Sequence, residues 1–121
     1  MPFLRIRGSL PLVATAFIAF AAFPAAAADC TMPGPAPAIP DGSTATVDQM
    51  KDAHSAVQSY VNLLESYQDC VEARIKLTMK TSKPEELQKL RDSGNAALDQ
   101  AKALSDSYSA QVRAYKARSA K

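Results

Sequence analysis

The 121-residue chain has no tryptophan, one histidine, four glycines and two cysteines. Each scarcity excludes something. No CxxC occurs, so thiol oxidoreductase chemistry has no support, and without CxxCH there is no site for covalent haem. The solitary His54 has no zinc spacing around it, and catalytic or metal sites need converging partners. No phosphate-binding glycine loop and no nucleophile–base constellation occurs. Asp48 with Asp52, and Glu65 with Asp69, lie one helical turn apart and read as solvated surface rather than acid–base pairs. The expectation is a protein that is not an enzyme and holds no cofactor or metal.

Long apolar runs are also scarce. The one candidate, Leu12–Phe23, is too short to span a bilayer core comfortably. It follows Arg5 and Arg7 and precedes Pro24 and the run Ala25-Ala26-Ala27-Ala28. That order of basic, apolar and small residues reads as a signal peptide over 1–28, cleaved near Ala28; an uncleaved anchor is the rival reading. Asp29 disfavours lipidation at Cys30, because lipidation signals take a small uncharged residue there. Losing Arg5 and Arg7 takes the fourteen basic residues to twelve, equal to the twelve acidic ones. The exported chain is formally neutral with interspersed charge, which excludes a nucleic-acid stripe or polybasic membrane patch. It is expected to be periplasmic or secreted, with no membrane span in the mature protein.

Exactly two cysteines in an exported chain favour a disulfide between Cys30 and Cys70. An intermolecular bridge and a pair of reactive thiols are the alternatives. About ninety remaining residues make one small domain, a size at which a covalent staple matters.

Residues 29–45 hold Pro33, Pro35, Pro37, Pro40 and the turn signal Asp41-Gly42. Prolines at this density exclude a helix and favour an extended arm. Helix 1, expected over about 46–81, opens with a capping box of Thr46 and Gln49. Met50, Val57, Leu64, Val71 and Thr78 recur every seven residues, and His54, Val61, Gln68 and Ile75 fill the complementary offset. Helix 2, expected over about 83–118, opens with the S-x-x-E run Ser82-Lys83-Pro84-Glu85. Its stripe runs through Leu87, Leu90, Gly94, Ala97, Ala101, Leu104, Tyr108, Gln111 and Tyr115, and the constant period favours a continuous helix through Gly94.

These elements define an all-α fold: an antiparallel, coiled-coil-like two-helix hairpin over 46–119 with an extended proline-rich arm. An antiparallel register pairs Gly94 with Val71, Ala101 with Leu64, Tyr108 with Val57 and His54 with Gln111. Asp48 and Asp52 are expected near Arg113, Lys116 and Arg118, and Glu85 and Glu86 near Arg74, Lys76 and Lys80. Gly94, Ala97 and Ala101 read as room for the arm or the bridge. An arm of this length reaches back along helix 1 to Cys70, at about 3.1 Å per residue against 1.5 Å per residue of helix.

The tyrosines fall into two heptad-spaced pairs, Tyr60/Tyr67 and Tyr108/Tyr115. Aromatic residues at this spacing pack in cores. They also suit an aromatic surface that grips proline, from the chain's own arm or a partner's peptide. The run Cys30, Pro33, Pro40-Asp41-Gly42, Met50, Val57, Tyr60, Glu65, Tyr67 and Cys70 resembles a family of small exported proteins of Gram-negative bacteria. Their shared pattern is a cysteine, prolines, a P-D-G turn and a helix ending in tyrosine and cysteine. The resemblance covers the first half of the exported chain and implies a periplasmic helical hairpin; it carries over no activity and no functional residue. Function is therefore expected to be a non-enzymatic interaction or structural module. Its partner would be a second copy, completing a four-helix bundle, or an envelope protein. The alternative is a chaperone-like or ligand-binding stress protein using an exposed apolar face.

Overall fold

A computed structural model describes residues 29–121. The expected signal peptide lies outside these residues. Helix α1 spans Val47–Thr78 and helix α2 spans Pro84–Ser119, packed antiparallel as a hairpin. Among the described residues, no helix is long and apolar enough to cross a membrane.

Local chemistry sets the helix ends. Thr46 Oγ1 accepts from the Gln49 amide at 3.2 Å, and Gln49 Oε1 accepts from the Thr46 amide at 2.8 Å. This reciprocal box satisfies two donors that a helix start leaves orphaned. The α1 C-terminus is closed when the Thr78 carbonyl accepts from the amides of Thr81 and Ser82. α2 departs from the expected start by one residue. Lys83 is the N-cap and Pro84 the first helical residue, with Glu86 accepting the Lys83 amide at 3.3 Å. The box is half made, because an ammonium side chain has no acceptor to offer in return. Ser82 sits one position too early to cap. α2 is continuous through Gly94, as its period implied.

The core is a single seam between the helices. Val57, Tyr60 and Leu64 of α1 meet Ala97, Ala101 and Leu104 of α2, with Leu64 and Ala97 fully enclosed. Ile39 of the arm and the rims of Val61, Tyr67 and Tyr108 close over that cluster. The register follows the heptads: a Cβ placed on Gly94 would lie 3.4 Å from Val71 Cγ1. Gly94 thus makes room for α1, while Ala97 and Ala101 lie in the cluster on which both α1 and Ile39 of the arm pack. Small residues on one helix let the bulkier Leu64 and Val71 of the other seat deeply.

Candidate functional site

The arm is a third layer laid along the hairpin, and its anchors can be followed from its far end to α1. Asp29 forms a 2.8 Å ion pair with Arg74. Cys30 is bonded to Cys70, with Cα atoms 5.8 Å apart. The Gly34 carbonyl accepts from the Tyr60 hydroxyl at 2.7 Å, and that hydroxyl accepts from Gln100 Nε2 at 2.9 Å. One buried phenol therefore ties together the arm, α1 and α2. Beyond Ile39, the Gly42 amide donates to Gln111 Oε1 at 2.9 Å. The arm runs antiparallel to α1, as its length allowed, and parallel to α2.

The Asp41-Gly42 turn is built for close approach. Asp41 Oδ1 accepts from the Ser43 amide at 2.8 Å and the Ser43 hydroxyl at 2.6 Å. The Asp41 carbonyl accepts from the amides of Thr44 and Ala45. Hydrogen bonds from Ser43, with the positive charge of Arg118 contributing less, hold the Asp41 carboxyl below its ordinary 3.8. Gly42 is buried, and a Cβ there would fall 1.9 Å from the Gln111 carbonyl oxygen. Only a residue without a side chain lets the arm lie on the α2 backbone.

Arg118 completes the turn. Its guanidinium donates to the carbonyls of Ser43 and Ala45, at 3.2 and 2.6 Å, and lies 5.1 Å from the Tyr115 ring centroid. This corrects the expected charge pairing. Among the described residues, none of Asp48, Asp52, Glu85 or Glu86 forms an ion pair across the hairpin. The arm intervenes: its backbone takes Arg118 and its Asp29 takes Arg74. The remaining ion pair, Lys102 with Asp106 at 2.6 Å, is one turn apart on exposed α2 and raises the Lys102 pKa.

The four tyrosines separate by function rather than by heptad. Tyr60 is core and arm anchor together. Tyr67 is half-buried and, with Leu63 and Cys70, lines the cleft under Cys30–Pro35. Tyr108 turns its hydroxyl to α1, donating to the Met50 carbonyl at 3.1 Å. Tyr115 lies beneath Arg118 beside the Gly42 turn. His54 is also displaced from its expected partner. It is exposed and its ring lies 5.7 Å from that of Tyr108, tilted by 44°, while Gln111 is turned to the arm.

The arm covers one side of the α1–α2 seam, and the other side is open. Two shallow clefts of about 340 and 300 Å³ meet at His54 and Tyr108, floored by Met50, Val57, Val61 and Val112. A third continues towards the hairpin turn between Gln68, Glu72 and Ile75 on α1 and Arg91 and Asn95 on α2. Leu98, exposed on the Arg91–Ser105–Val112 heptad column, adds an apolar side chain to this face. Gln111, Gln100, Ile39 and Arg118 were not singled out as arm contacts from the sequence. Gln111 and Gln100 carried a signal: polar residues at or beside the apolar stripe of α2.

These features define a disulfide-tethered helical hairpin with a docked extended arm. No family model, curated protein or solved structure matches the chain. The intramolecular bridge is compatible with an oxidising compartment.

Proposed function

We propose that this protein is an exported, periplasmic interaction module that acts through the open side of its helical seam and performs no catalysis. The observation that carries the reading is the asymmetry of the hairpin. One side is sealed by a covalently held arm, and the opposite side presents Val61, Val112 and Leu98 along an uncovered groove. A staple and a tyrosine anchor hold the hairpin ready, so little ordering cost remains at the moment of binding. The resemblance to small exported Gram-negative proteins supports the same compartment.

Site-specific photocrosslinking in cells tests this reading. A photoreactive residue at Leu98, on the open groove, should give a defined adduct, whereas one at neighbouring Asp99 should not. Equal labelling from both positions, or none from Leu98, counts against the module. A second reading has its own observation. Leu63, Leu77 and Met79 are more than half exposed, which would suit a chaperone-like protein that holds unfolded clients on the arm flank and the turn. That reading expects many weak adducts from Leu63 and Leu77 instead of one from Leu98.

A further inference from the structure

The arm is held unequally along its length, and its looser half covers a site. Towards α1, Ile39 packs on the core, the Gly42 amide donates to Gln111, and Arg118 holds the carbonyls of Ser43 and Ala45. Residues 29–36 are fastened by the Cys30–Cys70 bridge, the Tyr60 hydrogen bond to Gly34 and the Asp29–Arg74 ion pair. The Asp29 side chain is 90% exposed, and ion pairs of that kind hold little. A single hydrogen bond is also a modest hold, so the bridge decides whether this half stays down.

The bridge can be reached and opened. Cys30 and Cys70 are half-buried in the wall of an open cleft of about 630 Å³, beside Leu63 and Tyr67. A dithiol entering this cleft attacks one of the two sulfurs as a thiolate, which breaks their bond and forms a mixed disulfide. The second thiolate of the same molecule then displaces the sulfur already captured. Cys30 and Cys70 take up two protons as thiols, and the dithiol departs as a disulfide, oxidised by the two electrons they gained.

What the loosened segment uncovers has a definite chemistry. The Tyr60 hydroxyl donates to the Gly34 carbonyl at 2.7 Å and accepts from Gln100 Nε2 at 2.9 Å. Gln100 thereby fills the acceptor side of the phenol and keeps its proton aimed at the arm. Extended proline-rich chain has no internal hydrogen bonds, so its carbonyls are open to such a donor. Pro33 is half-buried beside that carbonyl, in the cleft walled by Leu63 and Tyr67, and aromatic walls suit proline rings. The residue between the prolines is not read, because a Cβ on Gly34 would meet nothing within 4 Å. We propose that Tyr60, Leu63, Tyr67 and Gln100 form a binding site for an extended Pro-X-Pro segment of another protein. Pro33-Gly34-Pro35 is the copy built into the chain. It fills the site while Cys30 and Cys70 are joined and leaves it when a dithiol reduces them. The site lies on the arm's flank of the hairpin and does not depend on the function of the open groove.

Two measurements test the cover and the site. With dithiothreitol, NMR relaxation should show the amides of Thr31, Met32, Gly34 and Ala36 becoming mobile while those of Gly42 and Ala45 stay rigid. A segment that remains ordered after reduction overturns the redox cover. The site itself is read with Cys30→Ser, which leaves Cys70 as a thiol, in thiol exchange with three peptides. These are residues 30–36, the same peptide with serine for its glycine, and the same peptide with alanine for both prolines. Intact mass should show about tenfold more Cys70 adduct from each proline peptide than from the alanine one. The chain's own segment competes equally with all three, so the ratio is preserved. Adding Tyr60→Phe should cut the proline adducts several-fold, with unchanged far-UV circular dichroism separating lost binding from lost folding. Equal adducts from all three peptides, or adducts indifferent to Tyr60→Phe, overturn the site. Failure of the serine-for-glycine peptide alone overturns its Pro-X-Pro class.

Discussion

At the scale of single residues, two glycines that look alike in the sequence have opposite meanings. Gly94 sits inside α2, where a methyl group would make ordinary contact with Val71. Gly94→Ala should therefore raise stability by up to about 1 kcal/mol through helix propensity. Gly42 is held against α2, and any Cβ would overlap the Gln111 carbonyl. Gly42→Ala should lower the melting temperature and free the arm to protease, at a cost of about 2 kcal/mol or more, as backbone displacement demands. Paired thermal melts check both signs. Acid addresses the same turn through Asp41. Its carboxyl pKa is depressed in the folded protein, by Ser43 first, so the stabilisation is full above the ordinary 3.8 and lost as pH falls through the lower folded value. Acid titration followed by proteolysis near Ser43 should show the turn loosening below that pH, and Asp41→Asn should remove the dependence. Sequence alone marks Asp41-Gly42 as a turn. It cannot distinguish a glycine needed for backbone freedom from one needed for closeness, because the obstructing atom is 69 residues away.

At the scale of elements, the helices and the arm owe their order to different physics. Periodicity fixes α1, α2 and their register, since each heptad column has only one side on which to bury its apolar groups. The cap at Thr46 was legible to the residue; the start of α2 was not, because Ser82 and Lys83 compete for one cap and Pro84 decides between them. The cross-hairpin ion pairs were read wrongly for a related reason. Charge patterning assumes that side chains meet one another, whereas Arg118 found backbone carbonyls and Arg74 found the arm. The arm's path could be bounded by length and by Cys70, but its side of the seam depends on Tyr60, Gln100 and Gln111, whose polar ends cannot be oriented from spacing. The arm contributes few buried side chains, so its attachment should depend on the bridge. In the chain-entropy account, closing a 40-residue separation contributes about 4 kcal/mol. Replacing Cys30 and Cys70 by serine should cost most of this and should expose residues 31–38 to rapid cleavage. Helical circular dichroism at low temperature should stay nearly unchanged, since the α1–α2 seam contains neither cysteine.

At the scale of the whole molecule, the hairpin has one finished side and one unfinished side, and the arm makes the difference. A two-helix layer buries only a strip of each helix, with Leu64 and Val71 the large side chains fully enclosed. The arm adds Ile39 and the proline rings on one flank; nothing within the described chain does so on the other. This one-sidedness was not legible from composition, because the two flanks of the apolar stripe have similar residue types. It emerges only when the arm chooses a side.

The bridge also sets where a mechanical load enters the fold. Asp29 lies beside Arg74 near the hairpin turn, whereas the last residues of α2 lie beside the Ser43 turn at the other pole. Tension between residue 29 and Lys121 would therefore pass through the sulfur bridge into Cys70 and shear α1 lengthwise against α2. Residues 31–69 would carry no force. In single-molecule stretching, the oxidised protein should unfold with a contour length shorter than the reduced one by about 40 residues, roughly 140 Å at 3.6 Å per residue. The cystine would act as a load bypass, keeping the arm and the first two-thirds of α1 slack while the ends of the molecule are pulled.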